Sequence, residues 1–171
     1  MIDLKDFENA GLSITWKLVD IGFNSDTAFS NLLSVSVILQ YAYDEFSKGC
    51  TDTDINYLLF TDETDLWDID KSIKILAAKE NSSYETELRK WRIFYVLKNL
   101  PSFNADCVQG LIALGDIWAF LGFPKDSPHT FQGRNNSITL GQYYTSDNFN
   151  DLLWKHIRWL KDEMHQIQLA P

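Results

Sequence analysis

The chain has 171 residues, 45% of them apolar and 23% charged, a composition that belongs to a folded globular protein and excludes a disordered one. A globule of this length buries roughly 70% of its unfolded surface and needs no disulfide or metal staple. The net charge of -9 argues against nucleic acid as a partner. The longest apolar stretch, 29–43, is broken by Ser30, Asn31, Ser34, Ser36 and Gln40, which excludes a membrane span there.

The charge is uneven. Residues 1–70 carry fourteen carboxylates against Lys5, Lys17 and Lys48, a net -11, whereas 71–171 carry ten against twelve cations, a net +2. A surface so charged attracts a basic partner over a Debye length of roughly 8–10 Å. The opening MIDLKDFENAGLS has acids where a secretion leader has Lys or Arg, so no export is expected. Cys50 and Cys107 lie outside any CxxC or CxxH spacing and fit two thiols of a reducing cytoplasm.

In chain order, Ala28, Leu32, Val35, Leu39, Tyr43 and Phe46 recur at helical spacing and predict a helix over 26–48, stopped by Gly49. The alternation of Leu33, Val35, Val37 and Leu39 leaves a strand open for its middle. Leu66, Ile69, Ile73 and Leu76 predict an amphipathic helix over 65–79, with Asp65 as its cap. Ser82 and Glu85 form an S-x-x-E capping box ahead of Leu88, Trp91 and Tyr95, and Pro101 ends that helix.

Asn104 opens a stretch with Val108, Leu111, Ile112, Gly115, Trp118 and Leu121 on one side, where Gly115 permits close helix contact, and Gly122 and Pro124 close it. Periodicity then disappears, which predicts a long ordered loop over about 122–145 with room for a short strand at Ile138. From Ser146, the stripe Phe149, Leu152, Leu153, His156, Ile157, Leu160, Met164 and Ile167 predicts a helix of about five turns. No linker divides the chain. The expectation is a mainly α, bundle-like single domain over 1–171.

The passage LGDIWAFLGFPKDSPHTFQGRNN at 114–136, followed by GQYYT at 141–145 and a helix carrying Trp154, His156 and Trp159, resembles a bacterial family known as domain of unknown function 2247. LSITW at 12–16 and KWR at 90–92 are similar to its other recurring positions. The resemblance covers most of the chain, strongly after Leu114 and loosely over 23–80. It brings no established catalytic residue. It does imply a role that small acidic bacterial families often have, that of an immunity protein for a polymorphic or contact-dependent toxin.

Three groups of residues are candidates for function. The acidic run Asp52, Asp54, Asp62, Glu63, Asp65, Asp68 and Asp70 has no Lys or Arg between its ends, and with Tyr57 and Trp67 as aromatic anchors it forms a candidate binding surface. The bland alternative is a solvated face in which Asp65 and Asp68 merely complement a helix N-terminus. Asp52, Asp54, Asn56 and Glu63 fall on positions 1, 3, 5 and 12 of a calcium loop, but Tyr57 occupies the position that needs Gly and Leu58, Leu59 and Phe60 fill the centre. The match is therefore set aside.

The loop residues Asp126, His129, Gln132, Arg134 and Asn135, with Asp116 from the preceding helix, are expected to brace the loop, Arg134 and His129 pinning carbonyls and Asp116 pairing with one of them. A triad of His129, Ser127 and Asp126 or Asp116 is the enzymatic alternative. His129, His156 and His165 lack the i, i+4 spacing of a helical zinc pair, so neither metal nor cofactor is expected. Trp91 and Trp118 lie on apolar stripes and are assigned to the core.

The function expected is that of a cytoplasmic immunity protein that binds a cognate toxin domain, basic in charge, with a nuclease as one example, and no nucleic acid or membrane. A small enzyme centred on His129 and Asp116 and a protein-binding adaptor are the alternatives, and the oligomeric state stays open.

Overall fold

The computed structural model describes residues 2–169. The protein is mainly α: among the described residues there are nine helices and no strand. The helices are α1 (Leu4–Asn9), α2 (Trp16–Phe23), α3 (Val35–Ser47), α4 (Thr53–Phe60), α5 (Leu66–Ala78), α6 (Tyr84–Asn99), α7 (Cys107–Phe120), α8 (Leu140–Tyr143) and α9 (Ser146–Leu169). None is long and apolar enough to cross a membrane. The chain forms two compact units that divide between Trp91 and Arg92, inside α6.

In the first unit, α2 packs on α5, and α4 packs on both α3 and α5. Each helix starts where a short polar side chain takes up a free N–H: Thr15 accepts from Leu18, Ser34 from Val37, Asp52 from Asp54 and Asp65 from Asp68. Such caps contribute about 1 kcal/mol each. The core centres on Trp91, fully buried, with Phe7 edge-on at 4.8 Å and Phe29 stacked at 5.3 Å. Its indole N–H donates to the Leu18 carbonyl at 2.8 Å, so the one polar atom of the ring is satisfied. Gly22 lies against Trp91 and Leu33, where a Cβ would collide with both.

Two charged contacts reach across this unit. Glu80 receives the backbone N–H groups of Trp16 at 2.7 Å and Lys17 at 2.9 Å, so a residue after α5 caps the start of α2. Lys90 is almost wholly buried beside the fully buried Glu87, 2.9 Å away, and also donates to Ser13 O and Oγ. The ammonium thus has acceptors on α6 and in the α1–α2 connection, which offsets part of its desolvation cost.

In the second unit, α7 packs on α9. The buried Trp118 meets Trp159 edge-on at 5.2 Å and donates to His156 Nε2 at 2.6 Å. The buried side chains of α9, namely Phe149, Leu152, Leu153, His156, Trp159 and Leu160, follow the helical stripe that its sequence predicts.

Several expected boundaries move. The helix expected over 26–48 begins only at Val35, because Ser25, Thr27 and Ser30 bond to backbone over 21–30 and Asn31 adopts φ +62°. These short polar side chains compete with helical bonding. The strand left open for its middle is absent, since Val35–Ser47 is helical. The cap of α6 is Ser83, which accepts from Thr86 N at 3.0 Å, and not Ser82. Asp106, not Asn104, caps α7. The close approach expected at Gly115 occurs at Gly110, whose missing Cβ leaves space for the Phe149 ring. The 122–145 loop holds the short α8, begun by a Thr139–Gln142 capping box, and Ile138 is not in a strand.

Candidate protein-binding surface

Residues 52–79 form the helical hairpin α4–α5. Ile55 and Leu58 turn inward on α4, which leaves Tyr57 and Phe60 together on its outer face at i, i+3. The connection is held by its own polar groups: Thr61 Oγ1 donates to Tyr57 O, Asp62 Oδ1 accepts from Thr64 N at 2.8 Å, and Asp65 N donates to Asp62 O at 2.9 Å. The Thr64 bonds hold the Asp62 carboxyl below its usual range. On α5, Ile69, Ser72, Ile73, Leu76 and Ala77 are buried, while Leu66 and Trp67 point outward.

Phe60 is 90% exposed and Trp67 70%, with Tyr57 and Leu66 about half exposed, all within eleven residues of chain. Single exposed apolar side chains are ordinary, but four on one hairpin are a mark of a binding surface. Tyr57 Oη donates to Asp68 Oδ2 at 2.6 Å, which pushes the phenol pKa up.

The acidic run divides into two groups. Lys79 grips Asp52 and Asp54 at 2.8 Å each, which holds Asp52 below the usual carboxylate range, and Lys74 pairs with Asp70 at 2.7 Å. Asp70 also accepts from Asn24. Those three acids are paired, two of them sharing the single charge of Lys79. Asp62, Glu63, Asp65 and Asp68 have no cationic partner among the described residues. The unneutralised acids therefore coincide with the exposed aromatics, and Lys71 lies over the Trp67 ring at 5.1 Å. Residues 53–60 are helical, which removes the calcium-loop geometry, and no group of three metal-ligating side chains occurs among the described residues.

The 122–145 loop braces itself differently from expectation. Asn136 is its hub, donating to Phe131 O and Arg134 O and accepting from Gly133 N and Ile138 N. Arg134 pins no carbonyl; its guanidinium lies over Phe123 at 4.6 Å and Phe131 at 5.7 Å. Gln132 donates to Ile138 O, Asp126 pairs with Arg92 at 2.6 Å, and Asn135 holds φ +58°. Asp116 is exposed on α7 and pairs with neither His129 nor Arg134. His129 and Asp116 thus do not form a catalytic pair, and Ser127 Oγ accepts the His129 backbone N–H.

His129 is buried, with Nε2 3.0 Å from the Tyr143 hydroxyl and the His156 ring 5.6 Å away. Burial, with the neighbouring His156, lowers its pKa to about 3, and burial raises the Tyr143 hydroxyl to about 12. His156 Nδ1 lies 2.6 Å from Leu152 O and must donate there, so Nε2 accepts from Trp118 and the ring is neutral. Burial lowers its pKa as well. His165 is exposed and apart from both.

Sequence reasoning missed Phe60 and Leu66, which hydrophobicity assigned to the interior, and Lys79, whose capture of two acids depends on the hairpin closing. It took in the 132–136 turn without singling out Asn136 as its hub, and it missed Tyr143 as the partner of His129.

Fold and surface together define a small, mainly helical protein that presents an aromatic and acidic hairpin. The pattern of the family described as "Uncharacterized protein conserved in bacteria (DUF2247)" matches residues 4–164, and the chain belongs to that family. Comparison with curated proteins and with solved structures finds no match.

Proposed function

We propose that the protein acts by binding another protein through the α4–α5 hairpin, as a cytoplasmic immunity protein that neutralises a basic toxin domain. The observation that carries this proposal is the coincidence of four exposed apolar side chains with four carboxylates that have no cationic partner among the described residues. Aromatic anchors inside a charged rim suit protein recognition, because the rings supply buried area and the rim supplies encounter rate and orientation. A nuclease toxin offers the matching positive cleft, since it must hold phosphates.

Co-expression with the product of the adjacent gene tests the proposal. Growth rescue and co-purification, both lost in a Phe60→Ala/Trp67→Ala variant that still folds, support it. Rescue and co-purification that persist in that variant exclude the hairpin as the site.

A further inference from the structure

A second surface belongs to the other compact unit. The loop after α7 lines an open cleft of about 460 Å³, the size of small-molecule pockets. Its lining includes Phe123, Lys125, Ser127, His129, Phe131 and Arg134, and no carboxylate. In a chain of net charge -9, that is an unusual concentration of positive charge. Neither cation is spent on an acid: the nearby Asp126 is paired with Arg92, and Lys125 and Arg134 have no ion-pair partner among the described residues.

The Arg134 guanidinium lies 4.6 Å from the Phe123 ring centroid and 5.7 Å from that of Phe131, contacts that restrict a group suited to bidentate binding of an oxyanion. The loop itself is fixed, with Phe123 and Asn135 in the left-handed region at φ +55° and +58° and Asn136 bonded at four points. A pre-formed site loses little entropy on binding.

His129 is the independent pointer. The residue is 8% exposed, it lines the cavity, and its Nδ1 is buried with no hydrogen-bond partner. Buried polar atoms in native proteins are nearly always satisfied by protein, water or ligand, so His129 adds unspent hydrogen-bonding capacity to the wall of this cavity.

We propose that this cavity binds a small organic anion, its carboxylate or phosphate group held by Arg134 and Lys125 at the mouth, with His129 in the cavity wall. The site is independent of the toxin-binding role, and loss of either leaves the other standing.

NMR titration of the full chain at constant ionic strength, once with inorganic phosphate and once with benzoate, tests the proposal. Saturable shifts confined to residues 123–136 and the His129 ring are expected. Lys125→Gln and Arg134→Gln are each expected to weaken them about tenfold. Lys125→Gln is the safer variant, because Lys125 is exposed and packs on no ring. Preference for phosphate or benzoate distinguishes a phosphorylated ligand from a carboxylate. Absence of saturation with both anions, or equal affinity in the wild type and Lys125→Gln, overturns the proposal.

Discussion

The Tyr57 hydroxyl donates to Asp68 Oδ2 at 2.6 Å and ties the outer face of α4 to the first turn of α5. With Asp62 bonded to Thr64 and Asp65 capping α5, the surface carrying Phe60 and Trp67 is organised before any partner arrives. Pre-organisation lowers the entropic cost of association.

Removing the exposed rings separates binding from folding. Phe60→Ala and Trp67→Ala are each expected to change unfolding free energy by no more than about 0.5 kcal/mol, as exposed positions do. Each is expected to weaken toxin binding by about 2 kcal/mol, roughly thirtyfold. Urea denaturation and calorimetric titration on the same samples check both numbers.

Lys79 restrains the negative charge of the hairpin. Lys79→Gln releases Asp52 and Asp54 and should accelerate association with a basic partner and steepen its salt dependence. Stopped-flow association rates measured against ionic strength show this as a larger slope than the wild type has.

The buried pair on α6 is expected to be costly to break and cheap to replace. Lys90→Met alone leaves Glu87 charged and buried and should destabilise by about 3–5 kcal/mol. Adding Glu87→Leu should recover most of that loss in denaturant melts.

Two glycines of α7 predict opposite outcomes. Gly110→Ala drives a methyl into the Phe149 ring and should cost about 1–3 kcal/mol. Gly115→Ala meets only His129 Nε2 at 3.8 Å and Phe131 at 3.9 Å, so helix propensity prevails and it should stabilise by roughly 0.5–1 kcal/mol. Thermal midpoints of the two variants should therefore move in opposite directions.

Acid should weaken the fold through the buried histidines. Both have folded pKa values below the unfolded one, so the unfolded chain takes up protons first as pH falls. The contribution is complete above about pH 6.5 and is lost between there and about pH 3, the folded value of His129. Each such group contributes up to about 1.4 kcal/mol per pH unit. His129→Phe should flatten the slope of stability against pH in that interval.

The helices legible in the sequence are those whose burial is one-sided. α9 and α5 show clear 3.6-residue stripes, and Trp91 and Trp118 fall in the core as their spacing implies. α4 was hidden because its outward face carries Tyr57 and Phe60, so hydrophobicity has no clean side. The start of α3 was misplaced because the polar side chains of 25–30 hold the chain in turns that apolar spacing does not register. Of the acidic surface, composition indicated the segment but not which carboxylates are neutralised. That depends on Lys74 and Lys79, brought into place only when α5 forms and packs on α4.

The association rate with the basic toxin domain that the proposed function requires is the most direct test. It should be compared between the wild type and a variant carrying Asp62→Asn, Glu63→Gln, Asp65→Asn and Asp68→Asn, in which amides preserve the cap and the Tyr57 acceptor. The account predicts a wild-type rate that falls about tenfold or more from low to high salt and a slower, nearly salt-independent rate for the variant. Equal rates with no dependence on salt in either protein would contradict it.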